Sequence, residues 1–313
     1  MNDTPEISVL ICAYNAQRYL AEALESVLGQ TMRAYEVVVV DDGSTDQTAR
    51  ILADAAQADP RVRVISGPNQ GISGAANTGL VQCRAPLVAR MDSDDLAEPD
   101  RLEKQVAFMN QHPDVLAAGS FVTFIDGRGR RLTVNRPPTE HDAIDDALMK
   151  GHCAIWNTSC VLRREAFLDA GGYGRDFKTA EDLDAWLRLA ERGRLANIAE
   201  PLQRYRLHDA SITAADGPSN RDDCRRACEA AAARRGGESR FEASSPWREG
   251  GDAGSKRKFY TRYGWWAWRL GERRTARHYA LKAIGAGFWC AEPWRLFVKS
   301  WAPRKAPGVE ATP

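Results

Sequence analysis

The sequence predicts an α/β fold, a mostly parallel central sheet with helices on both faces, followed by a helical C-terminal extension. Three observations predict it. Apolar runs of buried-strand type alternate with stretches of helical periodicity through the first half, several of these runs end in polar turn clusters, and composition changes sharply near residue 256. Ile7 to Ala13 (ISVLICA) is continuously apolar, as a strand covered on both faces must be. Leu20, Leu24, Val27 and Leu28 then form a helical stripe. Glu36 to Val40 (EVVVV) is a β-branched buried strand that ends in the turn-rich DDGSTD. A helix is expected over about 47–58 and a short strand at Val62 to Ile65. Asn69 to Gly79 is glycine-rich and opens a further helix, and Leu87 to Met91 is a strand running into Asp92-Ser93-Asp94-Asp95. Pro99 suits the first position of a helix whose buried stripe is Leu102, Val106 and Met109. Strand, helix, strand at this spacing means parallel pairing through crossover helices.

The second half is less regular. Thr158 to Leu162 reads as a strand, and Leu183, Trp186, Leu187 and Ala190 mark a helix. Residues 214–255, rich in Ala, Arg, Gly and Ser, read as a helix plus a flexible linker. From Lys256 the pattern is helical again, with the stripe Phe259, Tyr263, Trp266 and Leu270 broken by Gly271. The expected organisation is therefore a catalytic-type α/β domain over 1–213, a polar segment over 214–255 and a basic, Trp-rich helical tail over 256–313.

Charge reinforces that division. The formal net charge is only +1, yet residues 256–305 hold 13 Lys/Arg against Glu272 and Glu292, and residues 1–255 carry a net −9. Seven scattered cysteines with no Cys-x-x-Cys pair read as reduced thiols rather than a disulfide scaffold. The N-terminal stretch has acids at Asp3 and Glu6 and no signal-peptide pattern, and no run of about 18 apolar residues occurs. A cytoplasmic location is the expectation.

Ligands of open parallel sheets sit outside the carboxyl ends of the strands. Three such ends carry polar clusters here: Ala13-Tyr14-Asn15, Asp41-Asp42-Gly43-Ser44 and Asp92-Ser93-Asp94-Asp95. Each alone has a plain structural alternative, since Ser44 with Gln47 matches a helix capping box and Asp-x-Asp recurs by chance. The chemical case for Asp-x-Asp is a diphosphate, which acids approach only through a divalent cation, Mg²⁺ or Mn²⁺. Neither a G-x-x-x-x-G-K-[ST] loop nor G-x-G-x-x-G is present, which argues against a P-loop NTPase and a dinucleotide oxidoreductase. Thr179 and Asp182 have capping-box spacing, while Asp182 also reads as a general base, weakened by the helix N-terminus. Trp186 shares its face and either stacks on a sugar or fills the core. His208 taken alone reads as structural or as a ligand, and Gly171-Gly172 as a turn that can approach a phosphate.

Taken in order, ISVLICAYNAQRYLAEALESVLGQT, EVVVVDDGSTDQT, NQGISGAANTGL, ARMDSDDLAEPDRLEKQVAFMNQHP, GGYGRDFKTAEDLDAWLRL and YRLHDASIT resemble glycosyltransferase family 2, inverting enzymes of Rossmann-like GT-A fold. The resemblance covers about residues 5–213. It implies transfer of a sugar from a nucleotide-sugar donor (UDP-, GDP- or dTDP-linked) to the hydroxyl of a saccharide or lipid-linked saccharide, in polysaccharide or other glycoconjugate synthesis. It implies donor contacts at Ala13, Tyr14, Asn15, Asp42, Gly71, Asp92, Ser93, Gly171 and Gly172, with metal contacts at Asp94 and His208. Asp95 is an alternative to its neighbours in that set. Asp182 is implied as the base, with Glu181 and Trp186 on the acceptor side. Ala75-Ala76-Asn77 departs from the Arg-Asn many members carry, and the Gln-x-x-Arg-Trp of processive synthases is absent, so one sugar per encounter is expected.

Two other readings stand beside this one. A sugar-nucleotide nucleotidyltransferase would share the sheet and the acids, but would not need Glu181-Asp182 and would show a basic glycine-rich loop where Tyr14-Asn15-Ala16-Gln17 stands. An inactive sugar-nucleotide-binding scaffold would not need Asp92, Asp94, Asp182 and His208 together. The tail lies outside the resemblance. Its cations and aromatics favour an anionic membrane surface, reached through 256–305, or a small helical hairpin that packs its tryptophans onto the catalytic domain and leaves the charges solvated. Nothing calls for nucleic acid.

Overall fold

The computed structural model describes residues 4–177, 179–208, 217–242 and 252–301. They form two compact units, Met1–Val122 with Asn135–Ser244, and Thr123–Val134 with Ser245–Pro313. The expected flexible linker falls largely on 243–251 and the end of the tail on 302–313, both outside the described residues.

In chain order the first unit contains β1 (Ile7–Ala13), α1 (Leu20–Leu28), β2 (Tyr35–Asp41), α2 (Thr48–Ala58), β3 (Val62–Ser66), α3 (Gly71–Gln82), β4 (Leu87–Asp92), β5 (Leu96–Ala97) and α4 (Arg101–Gln111). Then come β6 (Val115–Asp126), which continues into the second unit and pairs with β7 (Arg131–Asn135), and α5 (His141–Met149). After them follow β8 (Val161–Arg163), α6 (Arg164–Asp169), α7 (Glu181–Ala190), β9 (Arg194–Leu207) and α8 (Gly217–Arg234). The sheet runs β3-β2-β1-β4-β8-β6-β9-β5. The first four strands are parallel, with Val9 opposite both Val37 and Ala89.

Period-two alternation splits the strand residues between two cores. Leu10, Val38, Val40 and Val88 face α3, α6, α7 and α8, through Ala75, Leu80, Phe167, Leu187 and Ala231. Val9, Ile11, Val37, Val39 and Ala89 face α1, α2 and α4, through Leu20, Leu24, Leu52, Leu102 and Met109. Helices therefore cover both faces. Gly79 sets how closely α3 approaches, because a Cβ there would lie 2.2 Å from Leu10 Cδ1 and 2.9 Å from Val40 Cγ2.

The expectation of a mostly parallel sheet holds only as far as β4. β8 pairs antiparallel with β4 and with β6, and β5 antiparallel with β9, so the sheet is mixed. Strands β6 and β9 escape pattern reading for different reasons. β6 (VLAAGSFVTFID) is buried on both faces and uses small residues, so it shows neither alternation nor a β-branched run. β9 carries Pro201 in an exposed stretch, which reads as a break. Two expected boundaries also move. α4 begins at Arg101 after Asp100, so Pro99 stands in the preceding turn rather than at the first helical position. Thr158 lies in a 3-10 turn, Asn157–Ser159, ahead of β8.

The second unit contains α9 (Ala253–Leu270), α10 (Arg273–Ala286) and α11 (Ala291–Lys299) with the β6–β7 hairpin tip. Asp252 caps α9 by accepting from Ser255 N, and Gly271, with φ 91°, ends it. Ala267, Ala276, Ala280 and Leu296 form a small-residue core that lets the helices pack closely. Within this unit Tyr263 is buried and stacks on Trp266 at 5.5 Å, whereas Trp289, Trp294 and Trp301 stay exposed, so the tryptophans are not all packed away. Tyr279 donates from its hydroxyl to Asp126 Oδ2 at 2.8 Å, joining helix to hairpin.

Candidate active site

The order β3-β2-β1-β4 reverses direction between β1 and β4, and a crevice opens outside the strand ends at such a point. Register puts the acidic ends level: Asp92 lies opposite Cys12, and Asp41 opposite Ala13. The three polar clusters thus share one rim.

Asp92-Ser93-Asp94-Asp95 turns away from β4, and its acids have different surroundings. Asp95 is fully buried and accepts from the Thr158 hydroxyl at 2.6 Å and from Arg206 N at 2.7 Å. It braces the turn and is not open to a ligand. Burial, with Asp94 and Asp92 alongside, holds its carboxyl well above the usual range. Asp92 and Asp94 keep side chains 34% and 30% exposed on the rim, as does half-exposed Ser93 between them. Burial, joined by the Asp94 and Asp182 carboxylates, pushes Asp92 up to about 6 against the pull of Arg90. Asp94 Oδ2 lies 2.7 Å from His208 Nε2, so the end of β9 returns a histidine to this turn. That histidine packs on Tyr19 with centroids 4.9 Å apart, and Arg206 sits over the same ring.

Glu181 and Asp182 open α7. The helix is preceded by Ala180 with no side-chain cap, and Thr179 instead donates to Asp223 Oδ2 at 3.2 Å, so the capping-box reading is not realised. Asp182 is half-buried and accepts from Leu183 N at 2.7 Å. The sequence alone suggested that the helix N-terminus lowers its pKa. Burial raises it instead, outweighing the Leu183 amide and Arg90. Glu181, 8% exposed, is pushed up to about 8 by burial first and the Asp182 carboxylate second. At neutral pH Glu181 therefore holds its proton beside Asp182.

The other expected residues divide between rim and frame. Tyr14 is 54% exposed, whereas Ala13 is buried and its carbonyl accepts from Asp42 N. Asn15 has φ 48°; its backbone N–H donates to Ser44 Oγ at 3.0 Å and its Oδ1 accepts from Thr45 N at 2.8 Å. Asp42 is 4% exposed and accepts from Gln70 N at 2.7 Å, fixing the entry to α3 just before Gly71. Gly71 has φ 75° with open space where a Cβ would stand. The Ser44–Gln47 capping box is not formed, because α2 starts at Thr48 without a side-chain cap.

Gly171 and Gly172, with φ 95° and 61°, close the end of α6 through Leu168 O and Phe167 O. A side chain at Gly172 would meet Asn77 Oδ1 at 2.6 Å, and Asn77 brackets Tyr173 by accepting from its N–H and donating to its carbonyl. Arg188 holds Ala170 O and Gly172 O. Of the two readings of Trp186 the core one holds and the acceptor-side one does not: only 1% exposed, it packs on Phe167 at 5.8 Å.

Sequence reasoning missed Thr158 and Arg90. The Thr158 hydroxyl serves Asp95 while accepting from Asp92 N and Gln203 Nε2, so it ties three segments together. Arg90 is fully buried beneath the rim, donating to Leu10 O at 3.1 Å and reaching Asp92 Oδ1 at 3.4 Å. An arginine inside the apolar strand LVARMD was the available signal.

Among the described residues no group of three or more His, Cys, Asp or Glu is gathered in metal-holding geometry. What the chain offers is the pair Asp94 and His208, whose facing atoms are 2.7 Å apart. Neighbouring ligands of an octahedral Mg²⁺ or Mn²⁺ are about 3 Å apart, so the spacing of this pair is compatible with two adjacent positions on one such ion.

Residues 8–171 match Glycosyl transferase family 2. The amylovoran biosynthesis glycosyltransferase AmsE of Erwinia amylovora is 35% identical over 204 residues, 64% of this chain and 75% of that one. Among solved structures, S. aureus TarS 1–349 in complex with UDP-GlcNAc aligns with a TM-score of 0.60 at 19% identity, over 90% of this chain and 81% of that one. The mannosyltransferase PcManGT of Pyrobaculum calidifontis, in complex with GDP-Man and Mn²⁺, aligns with a TM-score of 0.57 at 19% identity, over 94% and 79%. The two structures share the GT-A fold with this chain. With its first unit matched in sequence and in fold, the chain belongs to glycosyl transferase family 2.

Proposed function

We propose that the protein is an inverting, divalent-cation-dependent glycosyltransferase. It moves one sugar per encounter from a UDP-, GDP- or dTDP-linked donor to a saccharide or lipid-linked saccharide hydroxyl, in assembly of a polysaccharide or related glycoconjugate. The observation that carries this reading is that Asp92 and Asp94 with His208 stand on one strand-end rim, with Asp182 near enough to Asp92 to help raise its pKa. Donor and metal are supported by UDP-GlcNAc in TarS and GDP-Man with Mn²⁺ in PcManGT. Polysaccharide assembly is supported by AmsE.

Exposed Tyr14 offers a face for the nucleotide base, with Asn15 and Asp42 setting the loop beneath it. The rim backbone at Gly71 leaves room for close approach by the donor. Asp94 and His208 would hold the cation, which supplies positive charge to the departing diphosphate. Asp182 takes the proton of the acceptor hydroxyl as oxygen attacks the anomeric carbon. Burial suits Asp182 to this role, because a raised pKa makes it a stronger base than an ordinary aspartate. Glu181 keeps its proton and adds no second negative charge beside the base. One base and direct attack invert the anomeric carbon.

The test is NMR of the product linkage together with identification of the released nucleotide. The expected result is an anomeric configuration opposite to that of the donor, with nucleoside diphosphate released. Retention would refute the mechanism, and pyrophosphate release would point to nucleotidyl transfer.

A further inference from the structure

The second unit carries a surface outside the residues assigned above to the transfer reaction. Helix α11 turns Pro293 and Leu296 inward, as an amphipathic helix should. Its opposite side is also apolar: Trp294, Val298 and Trp301, at spacings of four and three, are 41%, 67% and 61% exposed. Phe288 and Trp289 extend this stripe ahead of the helix at 56% and 91% exposure. The rings touch one another, Phe288 on Trp289 at 4.7 Å and Phe297 on Trp301 at 6.3 Å, so they form one continuous aromatic edge. A contiguous exposed edge of this kind marks an interaction surface.

A cleft of about 780 Å³ lies beside it in the same unit. Arg257, Lys258, Arg262, Arg269 and Lys299 line it, with Trp265, Trp266 and Trp268 among its walls and Glu292 as the acid in its lining. The Lys299 ammonium is 5.4 Å from the Trp265 ring and 5.6 Å from Trp268, and the Arg277 guanidinium is 3.7 Å from Trp301. Cations and indoles are thus interleaved from cleft to edge. Over 252–301 there are 11 Lys/Arg against Asp252, Glu272 and Glu292.

We infer that this face of the second unit is a docking surface for an anionic phospholipid bilayer. The aromatic edge enters the headgroup–acyl boundary and the basic cleft takes the phosphate of an anionic headgroup. Two features select a lipid surface over a protein partner. The exposed apolar residues are mainly tryptophan and phenylalanine, rings that sit on the apolar side of interfacial membrane-binding segments. The cations flank the apolar edge, which is the arrangement that binds negatively charged interfaces. Attachment is peripheral, since among the described residues no helix is long and apolar enough to cross a membrane. The inference rests on the second unit alone and is independent of the glycosyl-transfer reading.

The full chain is tested by co-sedimentation with vesicles of phosphatidylcholine alone and of phosphatidylcholine with phosphatidylglycerol, at low and high salt and without sugar nucleotide. The wild-type protein should bind the anionic vesicles, bind the neutral ones weakly and be released by salt. W289S/W294S/W301S, at exposed positions, should lose at least about tenfold in partition coefficient. K258Q/R269Q/K299Q, also exposed, should lose roughly 100-fold on anionic vesicles and little on neutral ones. Thermal melts confirm that each variant is folded. Equal partitioning of the wild type and either folded variant overturns the inference, as does equal binding to both vesicle types. Sedimentation equilibrium supplies a further readout: a wild-type dimer that W289S/W294S/W301S converts to a monomer would assign the face to a second copy and overturn the lipid reading.

Discussion

Replacing Glu181 by Gln should make the protein less sensitive to alkaline pH while leaving catalysis almost intact. Glu181 is 8% exposed, and burial beside Asp182 raises its carboxyl from 4.5 to about 8. The folded state therefore binds a proton more tightly than the unfolded chain does. The stabilisation from that proton is complete below about pH 4.5 and is lost as pH rises through about 8. Between about pH 5 and 9 the wild type should lose roughly 4 kcal/mol through this group. Gln carries no charge at any of these values. Urea unfolding of both proteins across that range, in chelator and without donor, isolates the effect, because titrations shared by the two largely cancel in the difference. E181Q should match or trail the wild type near pH 5 and exceed it by several kcal/mol near pH 9. Its kcat at pH 7 should stay within about threefold, since the wild-type residue is already protonated there. A stability difference that stays constant with pH to within about 1 kcal/mol would show that Glu181 ionises normally and would refute the assignment of proton positions.

Asp182→Asn should lower kcat about 10²-fold or more with donor affinity retained, measured by steady-state kinetics and donor titration. The wild-type acid limb should lie above the ordinary aspartate range and be missing from that variant's residual rate, because Asp182 is raised by burial and must lose its proton to act. Asp94→Ala should lose both donor binding and stimulation by Mn²⁺ or Mg²⁺, and EDTA should silence the wild type; full turnover in chelator would remove the cation from the scheme. Gly79→Ala should destabilise by about 1–3 kcal/mol in urea unfolding, since the new methyl group meets Leu10 and Val40.

Much of the first unit was legible because its signals are local. ISVLICA and YEVVVVD are strands by composition alone, and the turns that follow them sit at carboxyl ends, where parallel topology puts ligands. The same logic failed beyond β4. Antiparallel β8, β6 and β9 bury small or polar residues whose partners lie far away in the chain: Gly119 has no room for a Cβ because Asn197 Oδ1 would be 2.1 Å from it. No window of sequence contains that constraint.

The protonation states show the division most plainly. The sequence determined which carboxylates exist and roughly which strand or helix ends carry them: Asp92 and Asp94 after β4, Glu181 and Asp182 at the start of α7. From that alone Asp182 reads as a helix-end acid with a lowered pKa. Only the tertiary structure buries Glu181 and Asp182 near Asp92, and only there does desolvation exceed the helix amides in effect. It likewise seals Asp95 under Thr158 and Arg206 while leaving Asp94 beside His208, though the two aspartates are adjacent in the chain. Residue type and local period are encoded in nearest neighbours. The free energy of a charge depends on the solvent and dipoles removed or supplied by segments a hundred residues away, and these are in place only once the chain has folded.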